Sequence, residues 1–130
     1  MKQAQIICEC EGDILSIAIK GEIDHHSAKS IREQMDTEIF CHRKPKVILD
    51  LSGIDFMDSS GLGLILGRYT KIKDLGAVLI LKDPTQEIIK ILKLAGVDKL
   101  IKIKTTKEGK HRSLNVREGR SFNDEKNVAE

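Results

Sequence analysis

The sequence predicts an α/β domain in which one mixed β-sheet, opened by an N-terminal hairpin, packs against helices. Short segments with alternating or continuous hydrophobicity, which are typical of strands, are separated by longer segments in which apolar residues recur every three or four positions. Strands that a helix connects pair in parallel, because such crossovers are right-handed. The predicted element order is β-β-α-β-α-β-α-β.

The N-terminal hairpin is predicted from two strands, residues 5–10 and 14–20, which flank the turn residues Gly12 and Asp13. The second strand places alternate apolar residues on one face: Leu15, Ile17 and Ile19. Gly21 is predicted to end this strand.

The first helix is predicted over about residues 25–41, with Asp24 as its N-cap and Pro45 preventing its continuation. Its apolar stripe consists of Ala28, Ile31, Met35 and Ile39. Its opposite, solvent-facing side consists of Lys29, Arg32, Glu33 and Asp36. The apolar residues 47–51 that follow are typical of a buried strand, and a turn is predicted at residues 52–53.

The second helix is predicted to begin within residues 58–62 and to end at Gly76, a favourable residue just beyond a helix C-terminus. Its apolar stripe consists of Leu62, Ile65, Leu66, Tyr69 and Ile72. Residues 77–81 form the next predicted strand, since they are short and apolar.

The third helix is predicted to begin with Asp83 as its cap and Pro84 at its first position, and to end at Gly96. Its buried side consists of Ile88, Ile89, Leu92 and Leu94. Residues 100–103 form the last predicted strand.

The predicted domain covers residues 1–104, and residues 105–130 form a polar C-terminal tail. The tail has few sizeable apolar residues and no helical or strand period. We expect it to be disordered, because it cannot bury enough apolar surface to offset the entropy lost on ordering.

The composition argues against several classes of function. The chain has 22 Lys and Arg against 20 Asp and Glu, which disfavours the broad cationic surface that nucleic acids require. Aromatic residues make up 3% of the chain, too few for a groove that stacks single-stranded bases. No apolar segment is long enough for a membrane span or a signal peptide. We therefore expect no nucleic-acid partner, no membrane partner and a cytoplasmic location.

The three cysteines indicate neither a disulfide framework nor a metal site. Their odd number does not suit a set of paired disulfides. Cys8 and Cys10 alternate along a predicted strand, and the pair at residues 41–42 has no second Cys or His pair at zinc spacing. We expect no metal and no cofactor.

The most informative segment is residues 58–63, with the sequence DSSGLG, which connects a buried strand to the second helix. It lies at the carboxyl edge of the predicted sheet, where ligands and partners of α/β folds bind. We predict that Asp58 caps the helix and that the two serines after it direct their hydroxyls toward solvent. Gly61 and Gly63 each cost about 1 kcal/mol in a helix relative to alanine. Either a partner approaches the backbone here, or the glycines let the helix pack tightly on the sheet.

Known enzyme motifs do not fit this segment. The dinucleotide fingerprint would need glycine at Leu66, the nucleophile elbow would need glycine at Asp58, and the P-loop would need a lysine that is missing. His25 or His26 could serve as a base for Ser60, but adjacent histidines at a helix start are more often solvated polar residues. We expect that the chain is not an enzyme.

Two blocks of the sequence resemble the bacterial anti-sigma factor antagonists, a family of STAS-domain proteins. The blocks are residues 21–28 (GEIDHHSA) and residues 56–69 (FMDSSGLGLILGRY). The resemblance covers about residues 5–104 and is closest to the members that act in sporulation, whereas the tail departs from the family. Stress-response members share the serine turn, so the identity of the sigma factor stays open.

The resemblance implies a single STAS-type domain and a phosphorylation switch. Unphosphorylated family members bind a nucleotide-bound anti-sigma factor that is also a serine kinase, and this binding releases the sigma factor. The kinase phosphorylates the second serine of the pair, here Ser60, and the modified antagonist dissociates until a serine phosphatase restores it. The docking face that the resemblance implies consists of Asp24, Ser59, Gly61, Leu62 and Gly63, with Glu22 and His25 as weaker candidates.

Physical chemistry is compatible with such a switch at Ser60. A phosphoryl group adds about −1.5 to −2 charge, which the N-terminus of a helix tolerates, so modification should change an interface more than the fold. Two alternatives stay open. One is a STAS module that senses a nucleotide or small molecule through a phosphate site at residues 61–67, and the other is an enzyme that uses Ser60 with a histidine.

Overall fold

Five strands and three α-helices make up the computed structural model, which describes residues 4–106. The strands are β1 (Gln5–Glu11), β2 (Ile14–Ile23), β3 (Lys46–Met57), β4 (Val78–Lys82) and β5 (Lys102–Lys104). The helices are α1 (Ala28–His42), α2 (Ser59–Asp74) and α3 (Gln86–Leu94), and a 3₁₀ helix (Val97–Lys99) precedes β5. The strands form one sheet in sequence order, antiparallel between β1 and β2 and parallel elsewhere. The predicted fold class and element order are confirmed.

The hydrophobic core lies between one face of the sheet and the helices. Alternate residues of β2 and β3 are buried there: Leu15, Ile17, Ile19, Val47, Leu49 and Leu51. The helices contribute Ile31, Met35, Ile39, Ile65, Ile72, Ile88 and Leu92. Burying one such side chain contributes about 1.5–3 kcal/mol, so this cluster holds the helices against the sheet.

Both long strands extend past glycines that were predicted to end or interrupt them. β2 continues through Gly21, and β3 continues through the predicted turn at residues 52–53. The pairing of the two strands shifts register at Gly21, whose φ is 103°, which marks a bulge that bends the strand without ending it. At Gly53, a Cβ would lie 3.2 Å from the carbonyl oxygen of Ile19, so the glycine permits close approach of neighbouring strands.

Helix α1 begins later than the sequence predicts. Residues 25–27 form a turn in which the Asp24 carboxylate accepts hydrogen bonds from the backbone N–H groups of His26 (2.9 Å) and Ser27 (3.0 Å). Ser27 is the N-cap, and the helix starts at Ala28. Asp24 therefore stabilises the turn that leads into the helix and is not the N-cap of α1.

Helix α3 also begins later than predicted. Its N-cap is Thr85, whose hydroxyl accepts a hydrogen bond from the N–H of Ile88 at 3.3 Å. Asp83, with a φ of 51°, and Pro84 both precede the helix. The Asp83 carboxylate instead accepts hydrogen bonds from the N–H and the hydroxyl of Thr106, at 2.6 and 2.7 Å. Asp83 thus connects the end of β4 to the segment that follows β5.

The last elements differ from the sequence prediction in two further details. Leu94, which was predicted to be buried, is 90% exposed at the final position of α3. Strand β5 starts at Lys102, because Leu100 still belongs to the cap of the 3₁₀ helix. Apart from residues 105–106, the predicted tail lies outside the described residues. Among the described helices, none has the length and apolar character needed to cross a membrane.

Candidate functional site

The two sequence blocks of interest meet where β2 and β3 end. Ile23 and Met57 are partners at the last position of each strand, and the N–H of Asp58 donates to the carbonyl oxygen of Ile23 at 3.2 Å. The turn that starts at Asp24 therefore lies beside the first turn of α2, which starts at Ser59.

The first turn of α2 is held by Asp58. This residue is the N-cap, and its Oδ1 accepts a hydrogen bond from the N–H of Ser60 at 2.8 Å. The bond satisfies one of the N–H groups that a helix leaves free at its start. Ser59 is exposed and Ser60 is half-buried, so neither serine is enclosed in the core.

The glycines of α2 have different surroundings. A Cβ on Gly61 would lie 2.0 Å from Cγ of Met57, so this glycine lets α2 pack on the strand ends. A Cβ on Gly63 or Gly67 would have no heavy atom within 4 Å. Of the two interpretations that the sequence left open, tight packing applies to Gly61, whereas the exposed Gly63 leaves the backbone open to approach.

Ser60 lies in a groove of about 490 Å³ between α1 and α2. The groove is lined by His25, Ala28, Lys29, Arg32, Ser60, Gly63, Leu64 and Arg68. His25 belongs to the turn before α1, and the other positions lie on one side of α1 or on one side of α2. Half of the lining residues have basic side chains and none is acidic, which makes the groove suited to an anionic group.

Arg68 is the buried basic residue of this groove. It is 3% exposed, and its Nε lies 2.9 Å from Oδ1 of Asp36 on α1. The two atoms form an ion pair but lack hydrogen-bond alignment, and Nη1 of Arg68 also has no hydrogen-bond partner. Burial lowers the pKa of Arg68; the Asp36 charge opposes this effect and the Arg32 charge adds to it. Arg32 and Arg68 are therefore close enough to repel each other.

These basic residues were not predicted as part of the site. Lys29, Arg32 and Asp36 were placed on a solvent-facing side of the first helix, and Arg68 was not singled out. The available signal was the four-residue spacing of Ser60, Leu64 and Arg68, which puts all three on one face of α2.

The other predicted docking residues surround the same strand ends. Glu22 and Asp24 are half-buried, His25 is exposed, and Leu62 is half-buried against the core. Hydrogen bonds from the Ser27 backbone, more than those from His26, lower the pKa of Asp24. Phe56, which was not predicted as a docking residue, is 50% exposed on β3 opposite Glu22. An exposed aromatic ring beside the candidate site adds apolar surface for a protein partner.

The histidines, cysteines and carboxylates of the described residues bear on catalytic and metal chemistry. Within residues 4–106, no hydrogen bond connects His25 to Ser60, whereas a nucleophile and its base lie within hydrogen-bond reach of each other. Burial, followed by the nearby charges of Glu38 and Cys10, raises the pKa of Cys8 to about 11, which disfavours its thiolate. In the described part of the chain, no group of three or more His, Cys, Asp or Glu residues could hold a metal ion.

Comparisons with known proteins agree on one family. The STAS domain family matches residues 5–109. The anti-sigma F factor antagonist of Paenibacillus polymyxa is 36% identical over 99 residues, which cover 76% of this chain and 85% of that protein. The solved structure of the anti-sigma factor antagonist SpoIIAA in its unphosphorylated form is 26% identical, with a TM-score of 0.62, covering 86% of this chain and all of that one. The solved structure of the Bacillus cell fate determinant SpoIIAA in its phosphorylated form is 29% identical, with a TM-score of 0.62. The match covers 82% of this chain and 97% of that one.

Proposed function

The chain belongs to the anti-sigma factor antagonists of the STAS domain family, and we propose from this premise that Ser60 carries its regulatory phosphoryl group. In its unphosphorylated form, the protein binds an anti-sigma factor that is also a serine kinase, and this binding frees a sigma factor. Phosphorylation of Ser60 ends the interaction, and a serine phosphatase reverses it. The observation that carries this proposal is the position of Ser60, capped by Asp58 in the first turn of α2 and accessible from the groove.

The surroundings of Ser60 support its role as the acceptor. Its side chain belongs to a helix start, where the backbone tolerates negative charge, and Gly63 leaves the approach open. The solved SpoIIAA structures include both an unphosphorylated and a phosphorylated form, which supports a switch of this kind.

The proposed docking face extends from the ends of β2 and β3 onto the first turn of α2. It comprises Glu22, Asp24, His25, Phe56, Ser59, Leu62 and Gly63, whereas Gly61 is buried against Met57 beneath it. A phosphoryl group on Ser60 would lie within this face, where it adds charge that a partner must desolvate. We therefore propose that modification acts by disrupting the interface.

Two further points concern the class of the protein and the boundaries of its functional domain. We propose a regulatory protein without catalytic activity that acts in the cytoplasm, since the relatives above are named for antagonism of anti-sigma factors. We also propose that residues 1–104 form the functional domain and that residues 105–130 are a tail outside it.

The proposal is tested with an anti-sigma factor kinase from the same organism, in the ADP-bound state for binding and with ATP for modification. Ser60→Ala should bind the kinase with wild-type affinity and gain no phosphate, as followed by calorimetry and intact mass. Ser60→Asp should bind at least tenfold more weakly, with unfolding free energy unchanged within about 0.5 kcal/mol, as for most surface substitutions.

Ser59→Ala is the matched control, because it removes the neighbouring hydroxyl and leaves Ser60 in place. It should still be phosphorylated. Phosphorylation of Ser60→Ala, or loss of phosphorylation only in Ser59→Ala, would show that the acceptor is a different residue.

A further inference from the structure

We propose that the groove between α1 and α2 binds the phosphoryl group on Ser60 of the same chain, through Lys29, Arg32 and Arg68. This inference rests on the proposed modification of Ser60 and adds a receptor for the phosphate within the domain itself. The modified side chain would fold into the groove and would not extend freely into solvent.

The placement of the residues supports this inference. Ser60 and Arg68 lie on one side of α2, about 12 Å apart along the helix axis, and helical side chains incline toward the N-terminus, so Arg68 extends toward the Ser60 end. The Ser60 side chain inclines the same way, so its phosphoryl group would turn back along the groove to meet Arg68. Lys29 and Arg32 line the same groove from α1. Gly63 leaves space between them, since a Cβ there would contact no heavy atom within 4 Å.

The buried Nη1 donor of Arg68, which has no hydrogen-bond partner although Nε is ion-paired with Asp36, is the observation that points to a ligand. A buried donor without a partner is unfavourable, and most buried polar groups in native proteins are hydrogen-bonded. Arg68 is buried, Nη1 has no hydrogen-bond partner, and Nε is poorly aligned with Asp36. Phosphate oxygens accept charge-assisted hydrogen bonds from guanidinium groups, so a phosphoryl group in the groove would satisfy these donors.

The charges around the groove favour an anion there. Lys29, Arg32 and Arg68 face it, together with the His25 ring. Three carboxylates of the adjoining elements already have partners. The Asp36 carboxylate contacts Arg68, and the Asp58 carboxylate accepts a hydrogen bond from the N–H of Ser60. The Asp24 carboxylate accepts hydrogen bonds from the N–H groups of His26 and Ser27. The N-terminus of α2 adds its partial positive charge at Ser60.

The test uses the full chain with phosphoserine inserted at position 60 during translation, so that no kinase is needed. Phosphorus NMR follows the second ionisation of the phosphate, whose pKa is about 6 in an unperturbed phosphoserine. Cations in the groove stabilise the dianion, so we expect this pKa to be lowered. Arg32→Gln and Lys29→Gln, both at exposed positions, should each move it back toward the unperturbed value.

Lys90→Gln is the matched control, because it removes one exposed positive charge on α3, outside the groove. It should leave the phosphate pKa unchanged. Arg68→Met should also move the phosphate pKa toward the unperturbed value, and circular dichroism checks that the domain tolerates the change at this buried position. A phosphate pKa at or above that of free phosphoserine, or one that Arg32→Gln and Lys90→Gln shift equally, would overturn the inference. Failure of a kinase to modify Ser60 would instead contradict the proposed function alone.

Discussion

Gly61 and Gly63 are only two residues apart on α2, yet a methyl group would have opposite effects at the two positions. At Gly61 it would meet Met57, which is itself buried, 2.0 Å from Cγ and 2.6 Å from Sδ. At Gly63 it would meet no heavy atom within 4 Å. The first glycine is required by packing, whereas the second costs helix stability without any packing benefit.

This difference predicts the stability of two matched variants. Gly61→Ala should lower the free energy of unfolding by about 1–3 kcal/mol, since overpacking has costs of this size. Gly63→Ala should raise it by up to about 1 kcal/mol, because alanine is the better helix former. Urea denaturation measures both values. A loss of stability in Gly63→Ala would contradict the open surroundings of this residue.

Phe56 provides a second prediction at the scale of single residues. It is 50% exposed beside the candidate docking face, where an aromatic ring can anchor a protein partner. Phe56→Ala should weaken binding of the anti-sigma factor kinase at least tenfold, measured by calorimetry, with little change in the unfolding midpoint. Leu94→Ala removes another exposed apolar side chain, on α3, and should leave affinity unchanged. Equal effects of the two variants would remove Phe56 from the docking face.

At the scale of elements, periodicity predicted which elements exist but not where they begin and end. Segment lengths and apolar spacing were sufficient to predict the order of strands and helices. Each element buries one face, and this burial determines the spacing of its apolar residues. The bulge at Gly21 and the turn held by Asp24 depend on contacts between strands and within a loop, which spacing does not encode. Arg68 shows the same limit, since an arginine on a buried face contradicts the hydrophobic pattern unless its partner Asp36 is known.

The pair of Asp36 and Arg68 connects α1 to α2 and predicts unequal effects of removing either partner. The Arg68 side chain is 4% exposed and that of Asp36 is 24% exposed. Asp36→Asn leaves a buried cation without a counter-charge and should cost about 3 kcal/mol of unfolding free energy. Arg68→Met keeps the apolar stem and leaves a carboxylate whose side chain is partly exposed, although its Oδ1 is buried, so it should cost less than Asp36→Asn.

Chemical denaturation of both single variants and of the double variant tests this expectation. The double variant should resemble Arg68→Met, because the buried charge is then absent. A larger loss of stability in Arg68→Met than in Asp36→Asn would show that Arg68 contributes mainly by packing.

At the scale of the whole molecule, the proposed switch site and the core are separate parts of the domain. The core cluster of the described residues extends from Leu15 to Ile101 and holds the three helices against one face of the sheet. Ser60 lies at the edge of this arrangement, in the groove between α1 and α2. A charge added there changes the surface that a partner meets while the core contacts stay in place, which is the division that a reversible switch requires.

The same division predicts the effect of shortening the chain. A variant that ends at Thr106 keeps every described core residue and the hydrogen bonds between Thr106 and Asp83. It should therefore unfold at the same temperature as the full chain and bind the anti-sigma factor kinase with the same affinity. A variant that ends at Ile101 removes β5, including the half-buried Ile103, and exposes the edge of β4, so its thermal midpoint should fall. Calorimetry on the three chains measures these differences. A lower midpoint for the chain ending at Thr106 would mean that residues 107–130 stabilise the domain and that its boundary lies beyond residue 104.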